Sequence, residues 1–572
     1  MRNSIYTFLA GTILLLTACG DGEDKKTTTE NNITPTEISG CLDFAITEKY
    51  GSLDPIHVTD VASFHITSQI YEPLLRFDEN DLTLEPLVAE SWEVSDDNLV
   101  HTFRLKKGVH FHDHACFEGG KGREIKAGDV IYSFERMYAA DDENYAYSLF
   151  KDKIAGGEAF KSNGGTISGI TAPDEYTVQF TLTKPSSNFM SLLATISTAI
   201  VAKEAIEKNA IVGSGPFVYS KDADTENKIT LSRNTNYHQK DGKGETLPYL
   251  DCVSFNYIKD GQEQLDLFMK GELDVITGLP SKSIKEIVET QIADFQEDPV
   301  KYVLGRYPQN ATTYITLNTA VPPFDNQKVR QAVGMAIDKA RIVDQILKGE
   351  AAAPGDHGIV PSAFKGYDYT SVVGLGFDVE KAKKLLSEAG YPNGNGLPIL
   401  MLATGNGNTS VRVGLEIQKQ LRANLNINVE LTSTSLAERK EANAQSKNNM
   451  SIDGWLAEFP DPVSFLSLFY GANVPASAQE MSFPNESRFK NDAFDKLYEK
   501  ALVTLDDKQR FELCLEADQI VANQAPCIPL WYHEDYHLIQ SAVQGYSPNA
   551  MNLLYLASVK IETVKPEKTA EK

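Results

Sequence analysis

The stretch Leu317–Pro354, "LNTAVPPFDNQKVRQAVGMAIDKARIVDQILKGEAAAP", contains the clearest helical pattern of the chain. Apolar side chains recur there at the i, i+3, i+4 spacing of an amphipathic helix, which predicts one continuous helix over Asp325–Leu347. Pro322 and Pro323 block an earlier start, since proline lacks a backbone N–H. Asp325 is the predicted N-cap because its side chain can accept from the first unpaired N–H groups.

Short β-rich runs alternate with longer helical patterns on both sides of this stretch. "VHTFRL" (100–105) and "YTVQFTL" (176–182) alternate polar and apolar residues, as half-buried strands do. "DVEKAKKLLSEAGYPNG" (378–394) predicts a helix that Gly390 and Pro392 end. "VRVGLEIQKQLRANL" (411–425) predicts another, followed by the strand "INVELTST" (427–434). Helices mixed with short strands indicate α/β layers.

The amino-terminal residues predict export and a lipid anchor. The run Ile5–Leu16 is apolar but too short to span a bilayer, as in a signal-peptide core. It leads into "LTAC", Leu16–Cys19, which resembles the lipobox of bacterial lipoproteins. On this interpretation the signal peptide is residues 1–18 and Cys19 carries lipid. The alternative is an ordinary signal peptide with an incidental cysteine.

A polar tether follows Cys19. "DGEDKKTTTENNITPTE" (21–37) contains no aromatic residue and almost no aliphatic one, so it cannot bury enough surface to fold. A flexible chain of ~20 residues spans roughly 25 Å. No later segment reaches the ~18 apolar residues of a spanning helix. We therefore expect a body in the periplasmic space or on the outer cell surface, held to the membrane by lipid.

Length and charge limit the architecture and the partners. About 530 residues follow the tether, too many for one hydrophobic core, and this indicates two or three domains. Lys and Arg number 54 against 79 Asp and Glu, a net charge of −25. That balance disfavours nucleic acid and anionic lipid headgroups as partners, because both require clustered basic residues.

Five cysteines remain once Cys19 is set aside, so at least one is unpaired or intermolecular. An oxidising compartment permits disulfides. Cys41 and Cys252 lie in strand-like runs, while Cys514 and Cys527 flank a short helix-like segment. We treat both pairings as hypotheses. The chain has no Cys-x-x-Cys motif, so a redox or zinc motif has no support.

Six stretches, in order, resemble one family. They are Ile70–Asp113, Lys126–Tyr138, "GSGPFVY" (213–219), Met269–Pro280, Leu317–Pro354 and "LLSEAGYPNG" (385–394). The family is the extracellular solute-binding proteins of peptide-type ABC importers, the oligopeptide- and dipeptide-binding group (family 5). The order and spacing hold from about residue 41 to 560.

This resemblance implies an α/β periplasmic-binding-protein fold of type II, with two lobes, an extra N-terminal subdomain and two crossover strands. The solute lies in the cleft between the lobes. The expected ranges are 1–18 signal peptide, 19–40 lipidated cysteine and tether, 41–55 lobe I, 56–195 extra subdomain, 196–310 lobe I, 311–530 lobe II, and 531–572 return to lobe I with a C-terminal tail.

The resemblance also places a binding site in "DGWLAEFPDPVSFL" (453–466), which has three carboxylates and no Lys or Arg. Peptide-binding members read Gly-Trp-x-x-Asp-Tyr here, and the Asp pairs with the ligand's α-ammonium. The matching residues are Gly454, Trp455 and Glu458, with Asp461 as a second candidate. An ammonium stripped of water needs an opposing carboxylate. The alternative is a solvated turn shaped by Pro460 and Pro462.

The opposite end of the ligand has several candidate partners. Family members use different basic residues for the ligand's carboxylate, and Arg412 and Arg439 are the two possibilities. The glycine-rich "ATGNGN" (403–408) is expected to line the cleft through Thr404 and Gly405. It is not a phosphate loop, because no Lys-Ser/Thr follows the glycines.

Readings from other classes have weaker support. The chain lacks Gly-x-Ser-x-Gly and His-Glu-x-x-His, so a hydrolytic enzyme is a remote alternative. His110, His112, His114 and Cys116 alternate along one run, and on a strand they would share one face and could hold a metal. The resemblance instead makes that run part of the extra subdomain, so we expect neither metal nor cofactor.

The sequence thus predicts a monomeric, lipid-anchored receptor without chemistry of its own. It would capture a short peptide and deliver it to the membrane subunits of an ABC permease. The alternative is the same fold with another solute, such as a nickel complex, an oligosaccharide or an opine-like compound, because a fold does not determine the ligand.

Overall fold

A computed structural model describes residues 40–139, 144–277, 301–348, 350–477 and 480–562. Cys19, the signal peptide and the tether up to residue 39 lie outside these ranges. The strands are β1 Cys41–Ile46, β2 Leu75–Phe77, β3 Leu84–Pro86, β4 Ala89–Val94, β5 Val100–Leu105, β6 Ile170–Asp174, β7 Thr177–Thr181, β8 Phe217–Val218, β9 Lys228–Arg233, β10 Cys252–Tyr257, β11 Val275–Thr277, β12 Tyr302–Leu317, β13 Ala353–Pro354, β14 Leu400–Gly405, β15 Val429–Thr434, β16 Met450–Leu456, β17 Cys527–Gln540, β18 Val543–Gln544 and β19 Lys560–Ile561.

The helices surround these strands, and within the described ranges none is long and apolar enough to cross a membrane. Their bounds are α1 Val61–Ile70, α2 Ala127–Ala139, α3 Tyr145–Phe150, α4 Gly157–Asn163, α5 Phe189–Leu192, α6 Lys203–Ile206, α7 Gly261–Met269, α8 Gln327–Met335, α9 Lys339–Ile342, α10 Val379–Glu388, α11 Asn408–Leu425, α12 Leu436–Ala444, α13 Val463–Leu466, α14 Asp492–Val503 and α15 Asp507–Gln524.

Two long strands, β12 and β17, connect two blocks of sheet. The strand order is β15-β14-β16-β12-β17-β11-β1-β10-β9-β8. The later residues of β12 pair with β16, whereas β17 pairs through Ile539 with β11 of the other block. Each long strand therefore runs from one block into the other. This arrangement confirms the predicted two-lobe α/β fold with two crossover strands.

The two crossover strands are not paired continuously. Their antiparallel register runs to Pro308↔Glu534, is interrupted, and resumes at Thr312↔Tyr532. Inside the gap, the Asn310 backbone N–H donates to Ala550 O (2.7 Å) and the Asn310 carbonyl accepts from Ala457 N (2.9 Å). The segment after β16 is thus tied to the point where the chain passes between the blocks.

A smaller antiparallel sheet, in the order β4-β5-β7-β6, forms the extra subdomain with helices α2 to α4. Its core is aromatic, because Phe103, Phe134, Phe150 and Phe180 are almost completely buried and meet edge to face. Such ring pairs add to the stabilisation from burial. The strands predicted over 100–105 and 176–182 are β5 and β7 of this sheet.

One of the two hypothetical disulfides is present. Cys41 and Cys252 are bonded across the first register pair of the parallel strands β1 and β10, at a sequence separation of 211. The pairing of Cys514 with Cys527 is wrong, since both are buried free thiols, as is Cys116. Burial raises the pKa of the Cys514 and Cys527 thiols.

The long helix predicted over Asp325–Leu347 is wrong in its middle and at its cap. Helix α8 ends at Met335, and Asp338 caps the short α9 by accepting from Arg341 N (3.0 Å). The Asp338 N–H in turn donates to Gln420 (2.6 Å) on α11, so a tertiary contact stabilises the break. The N-cap of α8 is Asn326, whose side chain accepts from Lys328 N (2.9 Å).

Candidate functional site

The predicted site residues lie at the edge of the sheet where β14 and β16 end. These strands are parallel neighbours, with Ala403 opposite Ser451, so their carboxyl ends meet at one edge. Ligands of open α/β sheets bind outside the carboxyl ends of strands. Thr404 and Gly405 end β14, but the Thr404 side chain is completely buried and only Gly405 is partly exposed.

Gly454 and Trp455 lie near the end of β16. Gly454 is exposed, and a methyl group added there would meet nothing closer than Thr313 Oγ1 at 3.8 Å, so the backbone is open to an approaching molecule. The Trp455 ring is half-buried, and its Nε1 lies 3.4 Å from Ser464 Oγ. The ring therefore offers a flat apolar wall beside an open stretch of backbone.

Glu458 follows Ala457, the residue bonded to Asn310 between the lobes. Its carboxylate accepts a hydrogen bond from the Ser464 hydroxyl, and its backbone N–H donates back to that oxygen at 3.3 Å. Glu458 is partly exposed. The structure thus positions a carboxylate next to the lobe crossover and beside Trp455.

Asp461 has a different environment. It is buried, its Oδ2 lies 2.8 Å from Arg510 Nε, and its Oδ1 accepts from Val463 N (3.0 Å). Burial raises the pKa of Asp461, and the Arg510 guanidinium opposes that rise. The carboxylate of Asp461 is therefore already paired with the Arg510 side chain. These contacts give no support to Asp461 as the alternative ligand partner.

The third carboxylate of the stretch, Asp453, is also paired internally. It is buried, and its Oδ1 lies 3.2 Å from Arg439 Nε. Its other partners are Thr316 Oγ1 (2.7 Å), Asn443 Nδ2 (3.1 Å) and the Ser451 hydroxyl. Asp453 and Arg439 compensate each other inside the second lobe, as buried charges must.

Glu486 is a candidate that the sequence pattern did not reveal. It lines a recess together with Tyr314, Gly454, Trp455 and Phe483. Burial and then the neighbouring Asp453 raise the pKa of Glu486 to about 8, while Asn443 Nδ2 donates to it at 2.9 Å. The sequence around Glu486, "PNES" (484–487), contains no recognisable motif. Only the proximity of Glu486 to β16 in the folded chain identifies it as a candidate.

The two arginines considered for the ligand's carboxylate lie in different places. Arg412 is exposed on α11, and its Nη2 lies 3.2 Å from Ile346 O, next to α9. Arg439 is buried on α12, behind the edge formed by β14 and β16. Of the two, Arg439 is the one beside the predicted cleft residues.

The histidine run does not form a metal centre. It is not a strand, and its three rings bond separately: His110 to Gly108 O (3.0 Å), His112 to Gly215 O (2.9 Å) and His114 to Cys116 N (3.0 Å). In the described part of the chain, no group of three or more His, Cys, Asp or Glu side chains could hold a metal. The metal alternative therefore has no support.

Comparisons with known proteins agree with this architecture. A model of the bacterial extracellular solute-binding proteins, family 5, matches residues 83–476. Heme-binding protein A of Haemophilus influenzae is 28% identical over 96% of this chain and 98% of that protein. Di/tripeptide-binding protein 2 of Pseudomonas aeruginosa is 29% identical over 89% of this chain and 92% of that protein.

A solved structure extends the likeness to three dimensions. The periplasmic binding protein DppA from Helicobacter pylori, associated with an ABC transporter and in complex with the peptide STSA, superposes with a TM-score of 0.79. It is 27% identical and covers 92% of this chain and 99% of its own. The family model matches most of the chain, the two-lobe topology is in accord with that match, and the chain belongs to the bacterial extracellular solute-binding proteins, family 5.

Proposed function

We propose that this protein captures short peptides between its lobes and delivers them to the membrane subunits of an ABC importer. The observation that carries the proposal is the position of Glu458, a carboxylate one residue from the backbone bond that ties β16 to the crossover strand. Gly454 and Trp455 complete the proposed pocket. The relatives named for di- and tripeptides, and the neighbour in complex with a peptide, support this solute class.

The chemistry of a zwitterionic peptide matches this edge. An α-ammonium that loses water when the lobes close costs several kcal/mol unless a carboxylate opposes it. Glu458 supplies that carboxylate, and Ser464 holds it in place. The exposed backbone at Gly454 can bond the peptide backbone, and Trp455 can pack against it.

Closure of the two lobes over the solute is the change that the membrane subunits of an importer would recognise. We propose lobe I over 41–55, 196–310 and 531–572, the extra subdomain over 56–195 and lobe II over 311–530. The pairing gap between Pro308 and Thr312 supports a hinge near these limits. A solute that contacts both lobes favours the closed arrangement, because it binds that state better. The protein would act as a monomer and without catalysis.

The Glu458→Gln variant tests the proposal by calorimetry with an alanine dipeptide and its N-acetylated form. Truncating one partner of a buried ion pair costs about 2–5 kcal/mol, so dipeptide affinity should fall about 30-fold or more. The acetylated form should bind weakly to both proteins. Glu512→Gln, at an exposed glutamate on α15, is the matched control and should change neither affinity nor melting temperature.

Unaltered dipeptide affinity in Glu458→Gln would remove this carboxylate from the site. Mass spectrometry of the solute that co-purifies with the protein tests the solute class directly. A Soret absorption band in the purified protein would instead favour a heme-type solute, the alternative to which the Haemophilus relative points.

We also propose that Cys19 is lipidated and holds the protein in the cell envelope, in the periplasmic space or on the outer surface. The lipobox-like "LTAC" and the polar segment after it support this proposal. The Cys19→Ser variant should move the protein from the membrane fraction to the soluble fraction. Continued retention in the membrane fraction would contradict the anchor.

A further inference from the structure

A cavity of about 360 Å³ lies outside the inter-lobe cleft. The described residues that line it come from 64–87, 194–249 and 553–558, and none comes from 302–540, which contain both crossover strands and the proposed lobe II. Pockets that hold small ligands measure roughly 300–1,000 Å³ and occur preferentially at domain interfaces. This cavity has that size, and it lies where the proposed extra subdomain meets lobe I.

Hydrogen bonds between the lining segments hold the cavity walls in place. Gln69 Nε2, near the end of α1, donates to Leu554 O at 2.7 Å. Tyr249 N donates to Ala557 O at 3.3 Å, and the Tyr249 hydroxyl donates to Asp241 Oδ2 at 2.6 Å. The walls are therefore joined to one another through the C-terminal segment. A cavity formed in advance spares a ligand much of the cost of ordering the site.

The lining is mainly aromatic and aliphatic. Its rings belong to Phe64, Tyr71, Tyr237, Tyr249 and Tyr555, and leucines fill much of the space between them. Tyrosine rings provide a large apolar contact area and attract cations over their faces. The lining therefore suits an apolar or aromatic body that carries a positive charge.

Glu79 is the carboxylate of this lining that remains available to a ligand. It is half-buried and makes no hydrogen bond or ion pair among the residues that the structure describes. Glu72, by contrast, accepts from the Tyr237 and Ser214 hydroxyls, both at 2.8 Å. Burial raises the pKa of Glu79, since a carboxylate withdrawn from water is poorly compensated.

The basic side chains nearby compensate Glu79 only in part. Arg76 opposes the rise in the pKa of Glu79, but its Nε and Nη2 both donate to Glu85 Oε2, at 2.9 and 2.7 Å. Lys240 also lines the cavity and is exposed to solvent. Asp78 adds a second negative charge beside Glu79. This wall of the cavity therefore favours a cation.

We propose that the cavity is a second binding site, separate from the inter-lobe cleft, which takes a small amine with an apolar or aromatic body. The ammonium lies against Glu79, and the body packs among the tyrosine rings. The site does not depend on peptide capture, because none of the cleft residues takes part in it.

Calorimetry with phenethylamine and phenethyl alcohol tests the site, because these two probes differ only in the charged group. Wild-type protein should bind the amine about 10-fold more tightly than the alcohol, since hydrogen bonds to charged groups are the stronger ones. Glu79→Gln should abolish this preference and leave alcohol binding unchanged. Glu90→Gln, at an exposed glutamate of β4, is the matched control and should retain the preference.

A second variant tests the cavity space. Gly242 lines the cavity, and a methyl group added there would meet nothing within 4 Å, so a leucine fits without displacing its neighbours. Gly242→Leu should weaken the binding of both probes several-fold, with unchanged circular dichroism. Wild-type affinities for both probes in Glu79→Gln and in Gly242→Leu would overturn the site.

Competition separates this cavity from the cleft. A saturating alanine dipeptide should not displace phenethylamine, and Glu458→Gln should bind the amine as tightly as wild type. Displacement by the dipeptide, or loss of amine binding in Glu458→Gln, would place the amine in the cleft and overturn the second site. Equal binding of amine and alcohol by the wild type, or no binding of the amine, would overturn it as well. If the dipeptide itself does not bind, the proposed function fails, while the preference lost in Glu79→Gln still supports the cavity.

Discussion

Glu486 gives a prediction whose size follows from its surroundings. Burial and the neighbouring Asp453 raise its pKa from 4.5 to about 8, and Asn443, Lys440 and Arg439 oppose the rise. Between these two pH values the unfolded chain has released the proton and the folded chain retains it. The contribution of Glu486 to the free energy of unfolding is therefore fully present below pH 4.5 and is lost as the pH rises towards 8.

In that pH window the free energy of unfolding of the wild type falls by about 1.4 kcal/mol for each pH unit, through Glu486 alone. Glu486→Gln removes the titration, and its amide oxygen can still accept from Asn443. The free energy of unfolding of the variant, relative to wild type, should therefore rise by on the order of 4 kcal/mol from about pH 5 to about pH 8. Urea denaturation at several pH values measures it.

The control for this experiment is Glu512→Gln, which changes an exposed glutamate. Its difference from wild type should stay within about 0.5 kcal/mol at every pH. A pH-independent difference between Glu486→Gln and wild type would refute the reasoning, because it would mean that Glu486 titrates alike in the folded and unfolded chains. Asp453→Asn should reduce the effect, since Asp453 is part of the cause.

Three further outcomes are expected. Arg510→Met leaves Asp461 buried without its cation and should lower the free energy of unfolding by about 3–5 kcal/mol. Adding Asp461→Asn should restore part of that loss. Equal stability of the single and double variants in urea would contradict the pairing of Asp461 with Arg510. Cys252→Ser should cost about 2–5 kcal/mol through loss of the bond to Cys41, and reduced wild type should match it in thermal denaturation. Trp455→Phe should reduce the solute-dependent change in tryptophan emission, and an undiminished change would place the ring outside the site.

Local sequence patterns predict elements that depend on near neighbours. The alternation in residues 100–105 and 427–434 predicts strands, and β5 and β15 lie there. The apolar stripe of Asp325–Leu347 predicts one helix, yet the structure breaks it after Met335. The break depends on Gln420, 82 residues away in sequence, which no periodicity within the stretch can reveal.

The stretch Asp453–Leu466 shows which features the sequence determines and which depend on the tertiary structure. By itself the sequence determined the family, the two-lobe fold and the presence of three carboxylates with no basic neighbour. Only the tertiary structure decided their partners: Arg439 for Asp453, Arg510 for Asp461 and the Ser464 hydroxyl for Glu458. The sequence could not assign the ion pairs because two charged side chains pair according to their distance in the folded chain, whatever their separation in sequence. Arg510 follows Asp461 by 49 residues, beyond the reach of any local pattern.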